Sequence, residues 1–122
     1  MPQWAVAIGC ALLVPSFFIG LYALAVNPYF ECTVRVQNDR NQVVICSGPY
    51  RYVRHPGYLA LIMSLVSVPL ILRSCYAALP YGGVVLMVLV MTALEDLTLQ
   101  RELAGYQDYA SKTRFRLLPH IW

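Results

Sequence analysis

Residues 48–58 read GPYRYVRHPGY, and they stand directly before a stretch, residues 59–72, that contains no charged side chain. The eleven residues hold two arginines, one histidine and three tyrosines. Arginine and tyrosine at the edge of an apolar segment are common membrane-interface anchors. A cluster of this kind is equally suited to a binding site, and these residues alone leave both interpretations open.

The composition of the chain is that of a membrane protein. Of its 122 residues, 59% are hydrophobic and only 12% are charged, and the mean hydropathy is +0.58. In an ordinary soluble domain, about a quarter of the residues are charged. The length accommodates one domain, and lipid would replace part of the core that a small soluble protein has to build.

Three uncharged stretches predict three membrane helices. Residues 4–26 exceed the roughly 20 apolar residues that a spanning helix needs. Residues 56–72 are short for a span, so we expect their helix to cross with little tilt or to extend past Arg73 with that side chain snorkelling. Residues 74–94 form the third segment. A secretory signal peptide is the alternative for the first, although no positive region precedes it.

The basic residues predict the orientation of these helices. The loop 27–55 and the tail after residue 94 each hold four of the nine basic residues, and only Arg73 lies between the second and third segments. By the positive-inside rule, the loop and the tail are cytoplasmic, and three crossings place the N-terminus outside.

The predicted fold class is therefore an all-α integral membrane protein with about three transmembrane helices, a cytoplasmic loop and a C-terminal amphipathic helical tail. The predicted layout is one domain over residues 1–122: helix 1 at about 4–26, the loop at 27–55, a helical hairpin at about 56–94 and the tail at 95–122. Within the loop, residues 33–37 and 42–46 flank the turn-forming sequence NDRN, which favours a short pair of extended strands.

Two polar clusters are expected to meet at the cytoplasmic ends of the second and third segments. Pro56 suits the first turn of a helix, so RYVRH lies at a helix N-terminus, where backbone N–H groups and arginine forks favour an anion. Glu95 and Asp96 follow the third segment directly. Because two consecutive helices of a hairpin run antiparallel, the cations face the carboxylates, an arrangement suited to a zwitterionic ligand. A plain Arg54–Glu95 ion pair that closes the hairpin is the structural alternative.

These residues carry a family resemblance. GPYRYVRHPGYLA, followed after an apolar hairpin by LEDLTLQRELAGYQDYASKTRFRLLPHIW, resembles the C-terminal half of the isoprenylcysteine carboxyl methyltransferase and phospholipid methyltransferase superfamily. The shared pattern is GPYxxxRHPxY, an apolar hairpin, an acidic pair, GxxxY and a basic segment ending in proline. NPYF at residues 27–30 and the run VRVQNDR also fit the loop that precedes the motif in this superfamily.

The resemblance implies S-adenosylmethionine as the cofactor, bound by membrane helices at a cytoplasmic active site, in the inner membrane if the protein is bacterial. It implies the following site: Arg54, His55, Pro56 and Tyr58 with Glu95 and Asp96 at the cofactor, and Arg51, Arg54 and Glu95 as catalytic residues. Asp96 departs from the Glu-Glu pair of the family, so Glu95 is the preferred member. The implied partners are the membrane and a lipid or lipidated acceptor, and we expect no metal and no nucleic acid.

The acceptor best suited to this chemistry is the carboxylate of an isoprenylcysteine-like molecule. A carboxylate is already ionised at pH 7, so the site needs alignment more than a general base, and Arg51 or Arg54 would hold it. A phospholipid amine is the alternative, with Glu95 or His55 taking the proton. Two further alternatives stay open: a sterol-reductase-like enzyme that uses NADPH, whose family also carries an RHPxY element, and a small membrane protein without turnover.

Overall fold

The computed structural model of the protein describes residues 1–29, 37 and 41–122. This part of the chain is helical and contains no β-strand. Its elements are α1 (Trp4–Val26), a 3₁₀ turn (Gly48–Arg51), α2 (Pro56–Ile71), α3 (Cys75–Glu102) and the short α4 (Tyr106–Lys112). Of the predicted strand pair, residues 42–46 form no strand, and residues 33–36 lie outside the described residues.

α1 and α2 pack against each other in antiparallel orientation. Near the start of α1, a Cβ atom added to Gly9 would lie 2.9 Å from the carbonyl oxygen of Ser67, so the close approach of the two backbones requires glycine. Further along, the hydroxyl oxygens of Ser16 and Ser64 lie 2.9 Å apart. Small residues and shared hydroxyl hydrogen bonds are the usual means of packing helices where lipid removes the hydrophobic driving force.

A tight turn joins α2 to α3 and also holds the N-terminus. Arg73 has a left-handed backbone with φ of 54°, which ends α2, and the Ser74 hydroxyl accepts a hydrogen bond from the Ala77 N–H at 3.2 Å, which caps α3. The Arg73 guanidinium donates two hydrogen bonds to the Met1 carbonyl, at 3.0 and 2.8 Å. The start of α1 and the α2–α3 turn therefore lie at the same end of the molecule.

The helices differ in whether they are long enough to cross a membrane. Within the described residues, α1 and α3 are long and apolar enough to span, whereas α2 has 16 residues. At 1.5 Å per residue, α2 measures about 24 Å, against a hydrocarbon core of about 30 Å. The expectation that this helix extends past Arg73 is wrong, because the left-handed residue stops it. Length and composition thus support two of the three predicted crossings.

α3 continues beyond the apolar segment that was expected to end at residue 94. It runs to Glu102, because the sequence after Leu94 is rich in good helix formers such as Leu, Glu, Gln and Arg. Glu95 and Asp96 therefore lie on a helix rather than in a tail. Gly105, with φ of 82°, then provides the left-handed turn into α4. The segment predicted as a helical tail, residues 95–122, thus contains the last turns of α3 and the seven-residue α4.

Candidate active site

A cavity of about 50 Å³ opens to solvent where α2 begins and α3 ends. Four of the residues predicted for the site line it, namely Arg54, His55, Tyr58 and Glu95. The structure therefore brings the RHPxY motif and Glu95 together around one space.

Asp96 lies behind the wall of this cavity and is fully buried, with no exposed surface. Its Oδ1 atom accepts from the His55 Nε2–H at 3.0 Å and from the Tyr106 hydroxyl at 2.9 Å, and it forms an ion pair with the Arg54 guanidinium at 3.2 Å. Because a carboxylate only accepts, the His55 proton at this contact is on Nε2. One oxygen atom thus orients three side chains that line the cavity.

The second carboxylate oxygen of Asp96 is also occupied. Its Oδ2 atom accepts from the Gln100 side-chain amide at 2.7 Å and from the Arg116 Nε–H at 3.0 Å. Asp96 is not among the residues that line the cavity. A buried carboxylate with this many donors is a hub for the surrounding side chains, and the cofactor contact predicted for Asp96 is not what this geometry favours.

Buried tyrosines form the other wall of the cavity. The Tyr109 hydroxyl donates to the Tyr50 carbonyl at 2.6 Å, and the Asn27 amide donates to the Tyr50 hydroxyl at 2.8 Å, which ties the end of α1 to the GPY sequence. Burial raises the pKa of Tyr106 above its ordinary value of 10.0, and the Asp96 carboxylate raises it further. Burial likewise raises the pKa of Tyr109. Both hydroxyls therefore stay protonated and keep donating at neutral pH.

The segment after α4 completes the site by packing against the start of α2. The Arg54 N–H donates to the Phe115 carbonyl at 2.8 Å, and the His55 N–H donates to the Arg116 carbonyl at 2.9 Å. These two N–H groups precede α2 and have no partner within the helix. The basic segment therefore satisfies backbone donors that a buried helix start would otherwise leave open.

The remaining predicted site residues, Arg51 and Pro56, are not among the residues that line the cavity. Arg51 is exposed on the 3₁₀ turn and does not line the cavity. Pro56 is buried at the first position of α2, where its missing N–H costs no hydrogen bond. Among the described residues, no three His, Cys, Asp or Glu side chains are grouped in a way that could hold a metal ion.

The sequence of this chain matches the model of a known protein family. The model of the isoprenylcysteine carboxyl methyltransferase family matches residues 7–101, which is most of the chain. The protein belongs to this family. No curated protein and no solved structure matches the chain significantly.

Membership in the isoprenylcysteine carboxyl methyltransferase family makes the protein a methyltransferase by class. The matched part includes the cavity residues of α2 and α3, but Tyr106, Tyr109 and Arg116 lie beyond it. Sequence reasoning gave Tyr106 and Arg116 no role, since no spacing along the chain connects them to Asp96. Tyr109 was visible only as the last residue of the GxxxY element.

Proposed function

We propose that the protein transfers a methyl group from S-adenosylmethionine to the carboxylate of a lipidated, isoprenylcysteine-like acceptor at the membrane. The observation that carries the proposal is that Arg54 and Glu95 line the same cavity in a chain of this family. Arg54 is only 7% exposed, and its Nε atom is buried and makes no hydrogen bond with any described residue. A buried guanidinium with a spare donor is suited to bind a carboxylate.

The residues around the cavity fit S-adenosylmethionine chemically. The molecule carries a sulfonium and an ammonium cation, a carboxylate and an adenine ring. Glu95 offers a carboxylate for the cations. Tyr29, Tyr50 and Tyr58 add aromatic faces, which attract cations and stack on heterocycles. S-adenosylmethionine, when bound, supplies an electrophilic methyl group on a positively charged sulfur.

The contribution of the protein to the reaction is alignment and charge. An acceptor carboxylate is ionised at pH 7, so it would accept the methyl group without losing a proton, the sulfonium sulfur would leave as a neutral thioether, and no general base would be needed. Arg54 orients a carboxylate through its planar fork, and Asp96 holds that fork by its NH1 atom. We assign this role to Arg54 rather than to Arg51, which is exposed outside the cavity. Holding the reactants in line supplies the main part of the rate enhancement in such a displacement.

An apolar groove next to the cavity supports a lipidated acceptor. The groove, of about 300 Å³, lies between α1 and α2 and is lined by side chains such as Phe17, Leu21 and Leu61. Gly57 lines both the groove and the polar cavity, so the two spaces adjoin at the start of α2. A hydrocarbon chain in the groove would place its polar head at Arg54. This continuity favours a lipid-linked carboxylate over a soluble one.

The decisive experiment measures ligand binding and methyl transfer on the purified protein in detergent. We expect calorimetry to give micromolar affinity for S-adenosylmethionine and no binding of NADPH above background. Radiolabelled methyl transfer should be fast with a farnesylated cysteine derivative and at least tenfold slower, in kcat/KM, with the same cysteine derivative carrying a short alkyl chain, because about 0.8 kcal/mol is lost per CH₂ removed from the groove.

Other outcomes of the same experiment would replace the proposal. Binding of NADPH in preference to S-adenosylmethionine would favour a reductase. Methylation of phosphatidylethanolamine rather than the cysteine carboxylate would favour an N-methyltransferase. Cofactor binding without turnover on either acceptor would favour a membrane protein without enzymatic activity.

We also propose that the cavity faces the cytoplasm from within an integral membrane protein. Four basic residues lie in the loop 27–55 and four after residue 94, against Arg73 alone at the other end of the molecule. This asymmetry favours a cytoplasmic cavity. A reporter fused after Trp122 should read cytoplasmic, and one inserted at Ser74 should read external. The reverse result at either position would contradict this orientation.

A further inference from the structure

Arg116 contacts the candidate site through two separate groups. Its carbonyl oxygen accepts from the His55 backbone N–H at 2.9 Å, and its side-chain Nε–H donates to Asp96 Oδ2 at 3.0 Å. Asp96 in turn accepts from the His55 ring through Oδ1 at 3.0 Å. The contacts form a closed ring in which Arg116 fixes the backbone of His55 directly and its imidazole by way of Asp96.

The Arg116 side chain is itself held in place. Its guanidinium carbon lies 5.1 Å from the centre of the Trp122 ring, a cation–π contact. The segment that carries it is folded, because the Leu117 N–H donates to the main-chain oxygen of Trp122 at 2.8 Å and Leu117 is buried against Tyr58 and Val88. An arginine fixed at both its backbone and its guanidinium loses little further freedom when it orients a partner.

Neither Arg116 nor Asp96 lines the cavity, whereas Arg54 and His55 do. Arg116 therefore acts on a bound ligand through His55 and Arg54, which it reaches by its own carbonyl oxygen and by way of Asp96. The family match ends at residue 101, so this support comes from a part of the chain outside the match.

We propose that Arg116 is a positioning residue of the methyltransferase site: it holds the Asp96 carboxylate and thereby sets the orientation of His55 and Arg54 toward the cavity. The role of Arg116 in turnover rests on the proposed function. Its effect on the orientation of His55 does not, so the proposed function and the positioning by Arg116 can be tested separately.

The test compares Arg116→Gln and Arg116→Lys with Arg114→Gln in the full-length protein. Arg114 is exposed in the same segment and makes no hydrogen bond or ion pair with the described residues, so its substitution is a matched loss of one positive charge. The chain has only two histidines, so ¹⁵N-histidine labelling gives two sets of ring signals, and a His120→Gln variant assigns them. Thermal stability, ring ¹⁵N chemical shifts at fixed pH, kcat and KM are measured for each variant.

In Arg116→Gln we expect the ring ¹⁵N signals of His55 to move and kcat to fall by about tenfold to a hundredfold, the usual effect of a misplaced reacting group, with little change in KM. Arg116→Lys keeps the positive charge but loses the planar fork over Trp122, so both effects should be intermediate. Arg114→Gln should match the wild type in every measurement.

Unchanged His55 signals together with unchanged kcat in folded Arg116→Gln would overturn the proposal. A kcat that falls only in proportion to the unfolded fraction would also overturn it, because Arg116 would then be merely structural. If Arg116→Gln does not fold, the same readings on Arg116→Lys decide the question. If the wild type transfers no methyl group, the proposed function fails, and the His55 signals alone still decide whether Arg116 positions that ring.

Discussion

Asp96→Ala should lower the free energy of unfolding by about 3–5 kcal/mol, the usual cost of removing one partner of a buried ion pair. The substitution would leave the Arg54 guanidinium 7% exposed and without the carboxylate it pairs with at 3.2 Å. The Tyr106 hydroxyl and the Gln100 amide would lose their acceptor as well. Denaturant unfolding in detergent micelles, followed by circular dichroism, measures the loss.

Asp108→Ala is the matched control for this measurement. Asp108 pairs with Lys112 at 3.1 Å, but the two side chains are 72% and 75% exposed. Water screens such a pair, so we expect its loss to cost no more than about 0.5 kcal/mol. Asp96→Asn, which keeps the shape and one carbonyl oxygen, should lie between the two alanine variants. Equal losses for Asp96→Ala and Asp108→Ala would show that Asp96 is not a hub.

Glu95→Gln should weaken S-adenosylmethionine binding by roughly 1.5–3 kcal/mol, the value of a hydrogen bond to a charged group, which is a loss of about tenfold to more than a hundredfold in affinity. Glu95 lines the cavity, and glutamine preserves its shape while removing the negative charge that a cationic ligand would experience. Calorimetry on the wild type and the variant, paired with thermal unfolding, measures affinity and stability on the same samples.

Two comparisons make the Glu95 result specific. Glu102→Gln removes the same charge from an exposed position at the end of the same helix, and we expect it to leave the affinity unchanged. S-adenosylhomocysteine lacks the sulfonium charge, so its affinity should fall less than that of S-adenosylmethionine. An unchanged affinity in well-folded Glu95→Gln would place the cofactor away from this carboxylate.

The two predictions assign opposite roles to neighbouring residues of α3. Side chains one position apart on a helix point about 100° apart, so Glu95 reaches the cavity while Asp96 turns into the protein. We therefore expect Asp96 substitutions to act mainly on stability and Glu95 substitutions mainly on binding. The resemblance to the family placed both acids at the cofactor, with Glu95 as the preferred member.

The sequence by itself determined the long helices and pointed to four residues of the cavity wall. Long uncharged stretches predict α1 and the apolar part of α3, since only helices satisfy all backbone groups in lipid. Pro56 marks the start of α2, and the resemblance to the family through GPYxxxRHPxY points to Arg54, His55 and Tyr58. These features are local, because composition, propensity and a proline at a helix start act over neighbouring residues.

The tertiary structure alone decided that Asp96 pairs with Arg54 and Arg116, and that the segment after α4 completes the site. Three contacts show this: Asp96 pairs with Arg54, Tyr106 donates to Asp96, and Arg116 returns to the start of α2. The residues that they join lie between 10 and 61 positions apart in the sequence. It also decided that α2 ends at Ile71 and that Arg51 stays exposed. Such contacts depend on the rotation of each helix about its axis and on the path of the tail, and both are set by packing rather than by the order of residues along the chain.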